Sequence, residues 1–273
     1  MDEPSAAATA SSTELESWTG PAGRWMFQGA GTSGRPVLLI HGMMFDHMMW
    51  RPIVDDLARD HRVLAVDLPG HGACPARPHY VWNDIVDDLA ALVSHLQLDA
   101  PVVVGHSAAV LALLYAGRHP VSGVANVDQP LDIRGLATRL RQAAPGLTGE
   151  GFNRLADALI ASMDLAAVPE PYRAYVEPHP DRATYLGWQQ ELLGLDPDRL
   201  QARIESAARA IRSPYLAVFS RQPWSGHDEW LRNLIPTAEI EVYGNQGHFP
   251  HLADVARFTT SIRRFERRSY EHR

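Results

Sequence analysis

The sequence predicts an α/β fold in which helices flank a mostly parallel, twisted sheet. Three observations carry this prediction: short apolar runs alternate with amphipathic stretches, one long segment shows only helical patterns, and a serine separates a valine-rich run from a helix-like run. Parallel strands are buried on both faces, so they appear as continuous apolar runs joined by helices. Sheets of this kind bind their ligands at the carboxyl ends of the strands.

The individual elements follow from these patterns in chain order. Apolar runs predict strands at residues 36–40, 62–67, 101–106, 123–128, 214–220 and 238–244. Apolar residues at helical spacing predict helices after each of the first three strands, near residues 227–235, and from residue 253 to about 268. Residues 1–16 hold few bulky apolar side chains and no apolar core of a secretory signal, so we expect a disordered segment there.

Residues 131–210 interrupt this alternation. Helix follows helix in this segment, without a strand, and the helices carry aromatic and aliphatic side chains. An insertion between two strands at the ligand-binding end of a sheet is typical of a cap over a site, although packing helices without a function are the alternative. We therefore predict a core formed by residues 17–130 and 211–273 and a helical cap formed by residues 131–210.

The composition narrows the classes of function. The 273 residues are 45% hydrophobic, and 25 Lys and Arg against 32 Asp and Glu give a net charge of −7, which argues against nucleic acid as a partner. The single cysteine, Cys74, excludes an intrachain disulfide, and no run approaches the roughly 18 apolar residues of a membrane span. We expect a cytoplasmic protein with no membrane partner. Its oligomeric state, a homodimer included, stays open.

The stretch PVVVGHSAAVLALLYA (residues 101–116) predicts a nucleophile elbow, the sharp strand-to-helix turn that exposes one side chain above a sheet. Because the turn is strained, the positions two residues before and after the nucleophile must be small. Around Ser107 these positions are Gly105 and Ala109, which departs from the G-x-S-x-G pattern by one methyl group. The alternative is that Ser107 only caps a helix in a nucleotide-binding fold.

Three further motifs occur in the expected order, and on them the chain resembles the α/β-hydrolase family from about Arg24 onward. The motifs are LLIHGMMFDHMMW (38–50), AVDLPGHG (65–72) and GNQGHFPHLADVARF (244–258). The resemblance implies an α/β-hydrolase fold with an inserted helical cap. It also implies chemistry that requires neither a cofactor nor a metal.

The resemblance also implies roles for single residues. Ser107 is the nucleophile, and His248, in the loop after the last strand, is the base that it needs. The backbone N–H groups of Met43 and Ala108 form the oxyanion hole. Among the 13 histidines, His251 is the alternative base, although its place suits the opening of the last helix better.

The acid that orients the histidine is the least regular part of the pattern. Most relatives carry it after the strand that here reads PYLAVFS, yet no carboxylate follows that strand until Asp228. A minority takes it from the end of the preceding strand, which ends ANVDQP and offers Asp128. We assign the acid to Asp128; the alternatives are Asp228 as the acid, or Asp128 as a cap of the helix near Ile133. Asp67 is interpreted as structural.

The predicted substrate is hydrophobic. Trp188, Tyr185, Met44 and Trp224 suggest an apolar pocket. In the acid after the earlier strand, the HFP motif at His248 and a single cap tryptophan, the chain is similar to fungal-type lactonases that open macrocyclic lactones such as zearalenone. We therefore predict a serine hydrolase that cleaves a small hydrophobic carboxylic ester or lactone through a catalytic triad and an acyl-enzyme. The alternatives are a thioesterase, an acyltransferase, a carbon–carbon bond hydrolase, a perhydrolase, or a receptor with little turnover.

Overall fold

An eight-stranded sheet forms the centre of the computed structural model, which describes residues 14–244 and 247–271. The strands are β1 (Glu16–Gly20), β2 (Gly23–Ala30), β3 (Arg35–Ile40), β4 (His61–Asp67), β5 (Val102–His106), β6 (Gly123–Val127), β7 (Tyr215–Phe219) and β8 (Ala238–Val242). Their order across the sheet is β1-β2-β4-β3-β5-β6-β7-β8. Strands β3 to β8 pair in parallel, and β2 is antiparallel to both of its neighbours.

The predicted mostly parallel sheet is confirmed. All six predicted strands are present, each within two residues of its expected bounds. The hairpin of β1 and β2 at one edge was not predicted. Residues 1–13 of the segment expected to be disordered lie outside the described residues, and Glu16, also placed in that segment, begins β1.

Helices cover both faces of the sheet. They are α1 (Arg51–Leu57), α2 (Trp82–His95), α3 (Ala109–Ala116), α4 (Arg134–Ala143), α5 (Glu150–Ser162), α6 (Arg182–Trp188), α7 (Gln190–Gly194), α8 (Pro197–Ala210), α9 (His227–Leu234), α10 (Pro250–Ala253) and α11 (Val255–Glu271). Alternate residues of β3 point to opposite faces. Leu38 and Ile40 pack with α2 and α3, whereas Val37 and Leu39 pack with α1 and α11. No helix in the described ranges combines the length and apolarity needed to cross a lipid bilayer.

The strand order reverses next to β3. Strand β4 lies on one side of β3 and β5 lies on the other, so the carboxyl ends of β3 and β5 meet at the topological switch point of the sheet. Crevices at such points are where open α/β sheets bind ligands. The loop after Ile40 and the turn after His106 both begin at this crevice.

Helices α4 to α8 occupy residues 131–210, and this fully described segment contains no strand. The segment rests on the loops that follow β3 and β4. The His179 amide donates to the carbonyl oxygen of Met44 at 2.7 Å, and Nε1 of Trp188 donates to the carbonyl oxygen of Pro69 at 2.9 Å. Its action as a cap, and the domain boundaries drawn from the sequence, stay predictions.

Candidate active site

Ser107 lies in the sharp turn between β5 and α3. Its φ is +56°, a left-handed conformation that is uncommon for a residue with a side chain and frequent at functional turns. Strand and helix approach closely here, since a Cβ atom on Gly105 would lie 2.8 Å from the Cα atom of Ala109. The Ser107 amide donates to the carbonyl oxygen of Val127 at 2.9 Å, which fixes the turn against β6.

Asp128 follows β6 directly and is hydrogen-bonded to His248. Its Oδ2 atom lies 2.7 Å from Nδ1 of His248, and its Oδ1 atom accepts the amide of Ser220 at 2.7 Å. Burial alone would raise the pKa of Asp128, but the hydrogen bond and charge of His248 hold that pKa below its usual value. Because a carboxylate only accepts hydrogen bonds, Nδ1 of His248 carries the proton and Nε2 can accept one.

The backbone of His248 is held from two sides. Its N–H donates to the carbonyl oxygen of Met163 at 2.8 Å, and its own carbonyl oxygen accepts from Nε2 of His106 at 2.8 Å. Burial, followed by the neighbouring charge of His248, lowers the pKa of His106 well below its usual value, so this ring is neutral. Met163 belongs to the inserted helical segment and His106 to β5. The position of His248 therefore depends on both the inserted helical segment and the sheet.

Ser107 and His248 line the same cavity, which has a volume of about 300 Å³. Its other walls are Met43, Met44, Trp82, Ala108, Val110, Leu111, Gln129, Ile133, Leu136, Leu159, Ser162, Met163, Tyr185, Trp188, Gln189 and Leu192. Most of these side chains are apolar. Within the part of the chain that the structure describes, the lining contains no Asp, Glu, Lys or Arg. The cavity thus suits a neutral, largely hydrophobic molecule.

The two predicted oxyanion donors lie on the wall of this cavity. Met43 and Ala108 both line it. The Ala108 amide donates to the carbonyl oxygen of His106, whereas no hydrogen bond from the Met43 amide is formed within residues 14–244 and 247–271. His41 stabilises the loop after β3 that carries Met43, since its Nδ1 atom is bonded to the carbonyl oxygen of Gly42 at 2.7 Å and its Nε2 atom accepts the amide of Leu68 at 2.9 Å. Their role as donors stays a prediction.

Three of the four predicted pocket residues line the cavity: Met44, Tyr185 and Trp188. The placement of Trp224 requires correction, because this side chain is not part of the described lining and is 37% exposed. Trp224 lies in the turn that leads into α9. Its ring packs against His227 and Trp230 of that helix and not over Ser107.

Asp228 and His251, the alternative acid and base, are not part of the described cavity lining. Asp228 accepts a hydrogen bond from Gln222 at 2.8 Å in the first turn of α9, and the N-cap residue of that helix is Gly226. Asp228 therefore neither contacts His248 nor caps the helix. His251 does not open the last helix, α11, but lies in the short helix α10 before it, and it is fully buried beside Trp50. Burial lowers the pKa of His251 to about 3.

Asp67, Asp46 and His47 form a cluster whose possible ligand atoms lie within 4.8 Å of one another. Asp67 accepts hydrogen bonds from the amide and Nδ1 of His47, at 2.8 and 2.7 Å, and from the amide of Ala73 at 2.9 Å. Asp46 accepts the amide of Met48 at 2.8 Å. These bonds join the loops after β3 and β4, so the cluster fits a structural ion pair, and we assign no metal to it.

Sequence reasoning missed most of the other cavity residues, among them Trp82, Gln129, Met163 and Gln189. Gln129 directly follows Asp128, so its adjacency to a predicted site residue was a usable signal. Gln189 carries a similar signal, because it directly follows Trp188 and lies four residues after Tyr185, and both of these were predicted pocket residues.

Comparisons with known proteins agree with this fold. A family model described as "Alpha/beta hydrolase family" matches residues 37–259. The chain is 31% identical over 172 residues to the "Magnesium-chelatase 30 kDa subunit" of Rhodobacter capsulatus, which is 57% of this chain and 60% of that protein. It therefore spans less than two thirds of that relative. It is 25% identical over 257 residues to "2-hydroxymuconate semialdehyde hydrolase" of Pseudomonas sp. (strain CF600), 84% of this chain and 86% of the relative.

A solved structure resembles the chain over most of its length. The enol-lactonase of Burkholderia xenovorans LB400 superposes with a TM-score of 0.69, covers 89% of this chain and 96% of its own, and shares 19% sequence identity. At this identity the likeness concerns the fold. It agrees with the eight-stranded sheet and its flanking helices.

Proposed function

This chain belongs to the alpha/beta hydrolase family, and we propose that within that family it is a serine hydrolase that cleaves a hydrophobic carboxylic ester or lactone. One observation carries the proposal. Ser107, in its strained turn, lines the same cavity as His248, whose Nδ1 atom is bonded to Asp128 at 2.7 Å. Nucleophile, base and orienting acid are the three parts that acyl-transfer chemistry requires.

The first half of the reaction forms an acyl-enzyme. Nε2 of His248 takes the proton of the Ser107 hydroxyl while Oγ attacks the substrate carbonyl carbon. The negative charge on the carbonyl oxygen is held by the amide of Met43 and by that of Ala108, which in this structure also donates to the carbonyl oxygen of His106. When the intermediate collapses, the bond to the leaving alcohol breaks and the protonated His248 returns its proton to that oxygen. Asp128 keeps the imidazole in the required tautomer throughout.

The second half uses water as the nucleophile. His248 takes a proton from the water as its oxygen attacks the acyl carbon, and the bond to Ser107 then breaks. The proton passes back to the serine oxygen, and a carboxylic acid is released. For a lactone the alcohol and the acid remain in one molecule, so the product is a single hydroxy acid.

The cavity supports the hydrophobic substrate class. Two tryptophans, Trp82 and Trp188, and several aliphatic and methionine side chains form its walls. A wall of this kind stabilises a ligand through burial of apolar surface, and adaptable methionines suit irregular ligands. A sugar or a phosphate would lose its hydration here without charged partners to replace it.

Carbon–carbon bond hydrolysis is a second candidate, because the relative 2-hydroxymuconate semialdehyde hydrolase matches 84% of this chain. The same nucleophile and base could serve that reaction. A muconate semialdehyde, however, carries a carboxylate, and the described cavity lining offers no Lys or Arg to pair with it. We therefore favour a neutral ester or lactone as the substrate.

The test is turnover of a defined panel: 4-nitrophenyl acetate, 4-nitrophenyl octanoate, an acyl thioester, a macrocyclic lactone and a dienol diketone with a cleavable carbon–carbon bond. We expect the octanoate or the lactone to be cleaved fastest, and Ser107→Ala and His248→Ala to lose at least about 1,000-fold in kcat/KM because the nucleophile or its base is gone. Circular dichroism verifies that both variants fold.

Three results would contradict the proposal. A folded Ser107→Ala protein with wild-type turnover would exclude the serine as nucleophile. Faster cleavage of the diketone than of every ester would favour the carbon–carbon reaction. No turnover of any compound, together with no labelling of Ser107 by a fluorophosphonate, would indicate a binding protein.

A further inference from the structure

Two polar side chains of the inserted helices face the cavity from one side of a helix. Tyr185 lies in α6 and Gln189 caps the end of that helix, four residues later. Side chains at this spacing lie on the same helix face. Both residues line the cavity, and they are only 7% and 8% exposed.

Neither polar group has a partner within the described protein. No hydrogen bond is formed by the Tyr185 hydroxyl or the Gln189 side-chain amide in residues 14–244 and 247–271, and neither group is completely enclosed by protein atoms. Two other polar side chains of the lining differ, since Gln129 and Ser162 each donate to a backbone carbonyl oxygen at 2.6 Å. Buried polar groups are normally hydrogen-bonded, so this pair requires a partner from outside the chain.

The helix that carries the pair is fixed in place. Nε1 of Trp188 donates to the carbonyl oxygen of Pro69, and the ring of Tyr80 packs so closely that a Cβ atom on Gly187 would lie 2.6 Å from it. The backbone N–H of Gln189 also donates to the backbone carbonyl oxygen of Tyr185 at 3.1 Å. These contacts restrain the helix, so that Tyr185 and Gln189 already line the cavity before a ligand binds.

The chemistry of the pair indicates what it binds. Burial raises the pKa of Tyr185 to about 12, so its hydroxyl stays protonated and can donate. The side-chain amide of Gln189 offers two N–H donors and a carbonyl acceptor. Two donors suit a carbonyl oxygen, and a donor with an acceptor suits a hydroxyl group. An anion is disfavoured, because no Lys or Arg is present in the described lining to pair with it.

We propose that Tyr185 and Gln189 form a polar subsite for a neutral carbonyl or hydroxyl oxygen of the substrate, on the side of the cavity contributed by the inserted helices. The inference rests on the proposed function and narrows its substrate class. The substrate is a hydrophobic ester or lactone that carries a second, neutral oxygen function apart from the bond that Ser107 attacks.

The test compares 4-nitrophenyl octanoate with analogues that carry an oxo or hydroxyl group at each successive position of the acyl chain. We expect one position at which the oxygen raises kcat/KM by about tenfold or more, because the apolar ester leaves both polar groups unpaired. An analogue with a terminal carboxylate should be cleaved more slowly than the parent ester.

The variants test whether the pair causes this preference. Tyr185→Phe and Gln189→Met keep the volume of the side chains and remove their hydrogen-bonding groups. Each should reduce the ratio of kcat/KM between oxygenated and plain ester by about tenfold. Gln142→Met, at an exposed position of α4, is the matched control and should keep the wild-type ratio. No preference at any position, or an unchanged ratio in both variants, would overturn the inference.

Equilibrium binding separates this inference from the proposed function. The same esters are titrated into Ser107→Ala protein, and tryptophan fluorescence reports the dissociation constants. Tighter binding of the oxygenated ester, lost in the Ser107→Ala/Gln189→Met double variant, would support the subsite even if the wild type hydrolysed none of the esters. Equal binding of oxygenated and plain esters would overturn the subsite even if Ser107-dependent hydrolysis were established.

Discussion

At the scale of single residues, the two carboxylates that could orient His248 have different environments. Asp128 accepts from Nδ1 of His248 and from the amide of Ser220, whereas Asp228 accepts from Gln222 on the surface of α9. Asp128→Asn should lower kcat by about 1,000-fold or more, because an amide in this place favours the wrong histidine tautomer. Steady-state kinetics on the fastest ester of the panel provides the measurement.

Asp228→Asn is the control for this prediction. Its side chain is 38% exposed and does not contact His248, so kcat should remain within about twofold of the wild type. If Asp228→Asn were the inactive variant and Asp128→Asn the active one, the assignment of the acid would be wrong. Chemical shifts of the His248 ring in the two variants would show the tautomer directly.

The sequence could indicate chemistry where a residue is tied to a local motif. Ser107 is indicated by the small residues around it, and His248 and Asp128 by their places after strands. In the structure Ser107 and His248 line one cavity, and Asp128 is hydrogen-bonded to His248. Trp224 also follows a strand, yet it turns onto its own helix. The direction of an aromatic side chain in a loop depends on packing that no local pattern encodes.

At the scale of elements, the turn between β5 and α3 depends on one close contact. Gly105→Ala should lower the free energy of unfolding by about 1–3 kcal/mol, because the added methyl group would lie 2.8 Å from the Cα atom of Ala109 and would push α3 off the sheet. Activity should fall more steeply than stability, since Ser107 moves with the turn. Urea unfolding and ester turnover of the same preparation measure both effects.

Gly194→Ala, at the end of α7, is the matched control for the Gly105→Ala substitution. A Cβ atom there meets nothing within 4 Å, so the variant should keep its stability and activity. A Gly105→Ala protein with wild-type stability would show that strand and helix can separate without cost. That result would contradict the account of the elbow as a tightly packed turn.

The elements that could be predicted are those with a strong hydrophobic pattern. The parallel strands are buried on both faces and appear as apolar runs, so their positions were found within two residues. The β1–β2 hairpin was missed. In β2 the buried Trp25 and Phe27 alternate correctly, but the buried Gln28 and the adjacent Gly29 interrupt the pattern.

At the scale of the whole molecule, buried histidines make the fold sensitive to acid. Burial lowers the pKa of His41 and His251 to about 3 and that of His71 to about 4, against 6.5 in an exposed histidine. Below pH 6.5 the unfolded chain therefore binds protons that the folded chain does not. Each such histidine lowers the free energy of unfolding as the pH falls, by up to about 1.4 kcal/mol per pH unit.

His251→Phe tests this account at one site. The ring of His251 contacts Trp50 and Phe258, and within the described chain neither of its nitrogens has a hydrogen-bond partner, so phenylalanine should fit. The loss of stability between pH 7.5 and 5.5 should be smaller than in the wild type by about 1.4 kcal/mol. Urea unfolding at both pH values measures it, with exposed His79→Phe as the control. Equal losses in His251→Phe and the wild type would contradict the buried, neutral state of this ring.

The backbone of His248 connects the inserted helical segment to the sheet. Its N–H is bonded to Met163 of the inserted segment, while its carbonyl oxygen is bonded to His106 of the sheet. Any movement that lifts Met163 away to admit a substrate also removes one of the two restraints on the base. We therefore expect a bulky ester that displaces Met163 to be bound but cleaved slowly, because the base would then be held on one side only.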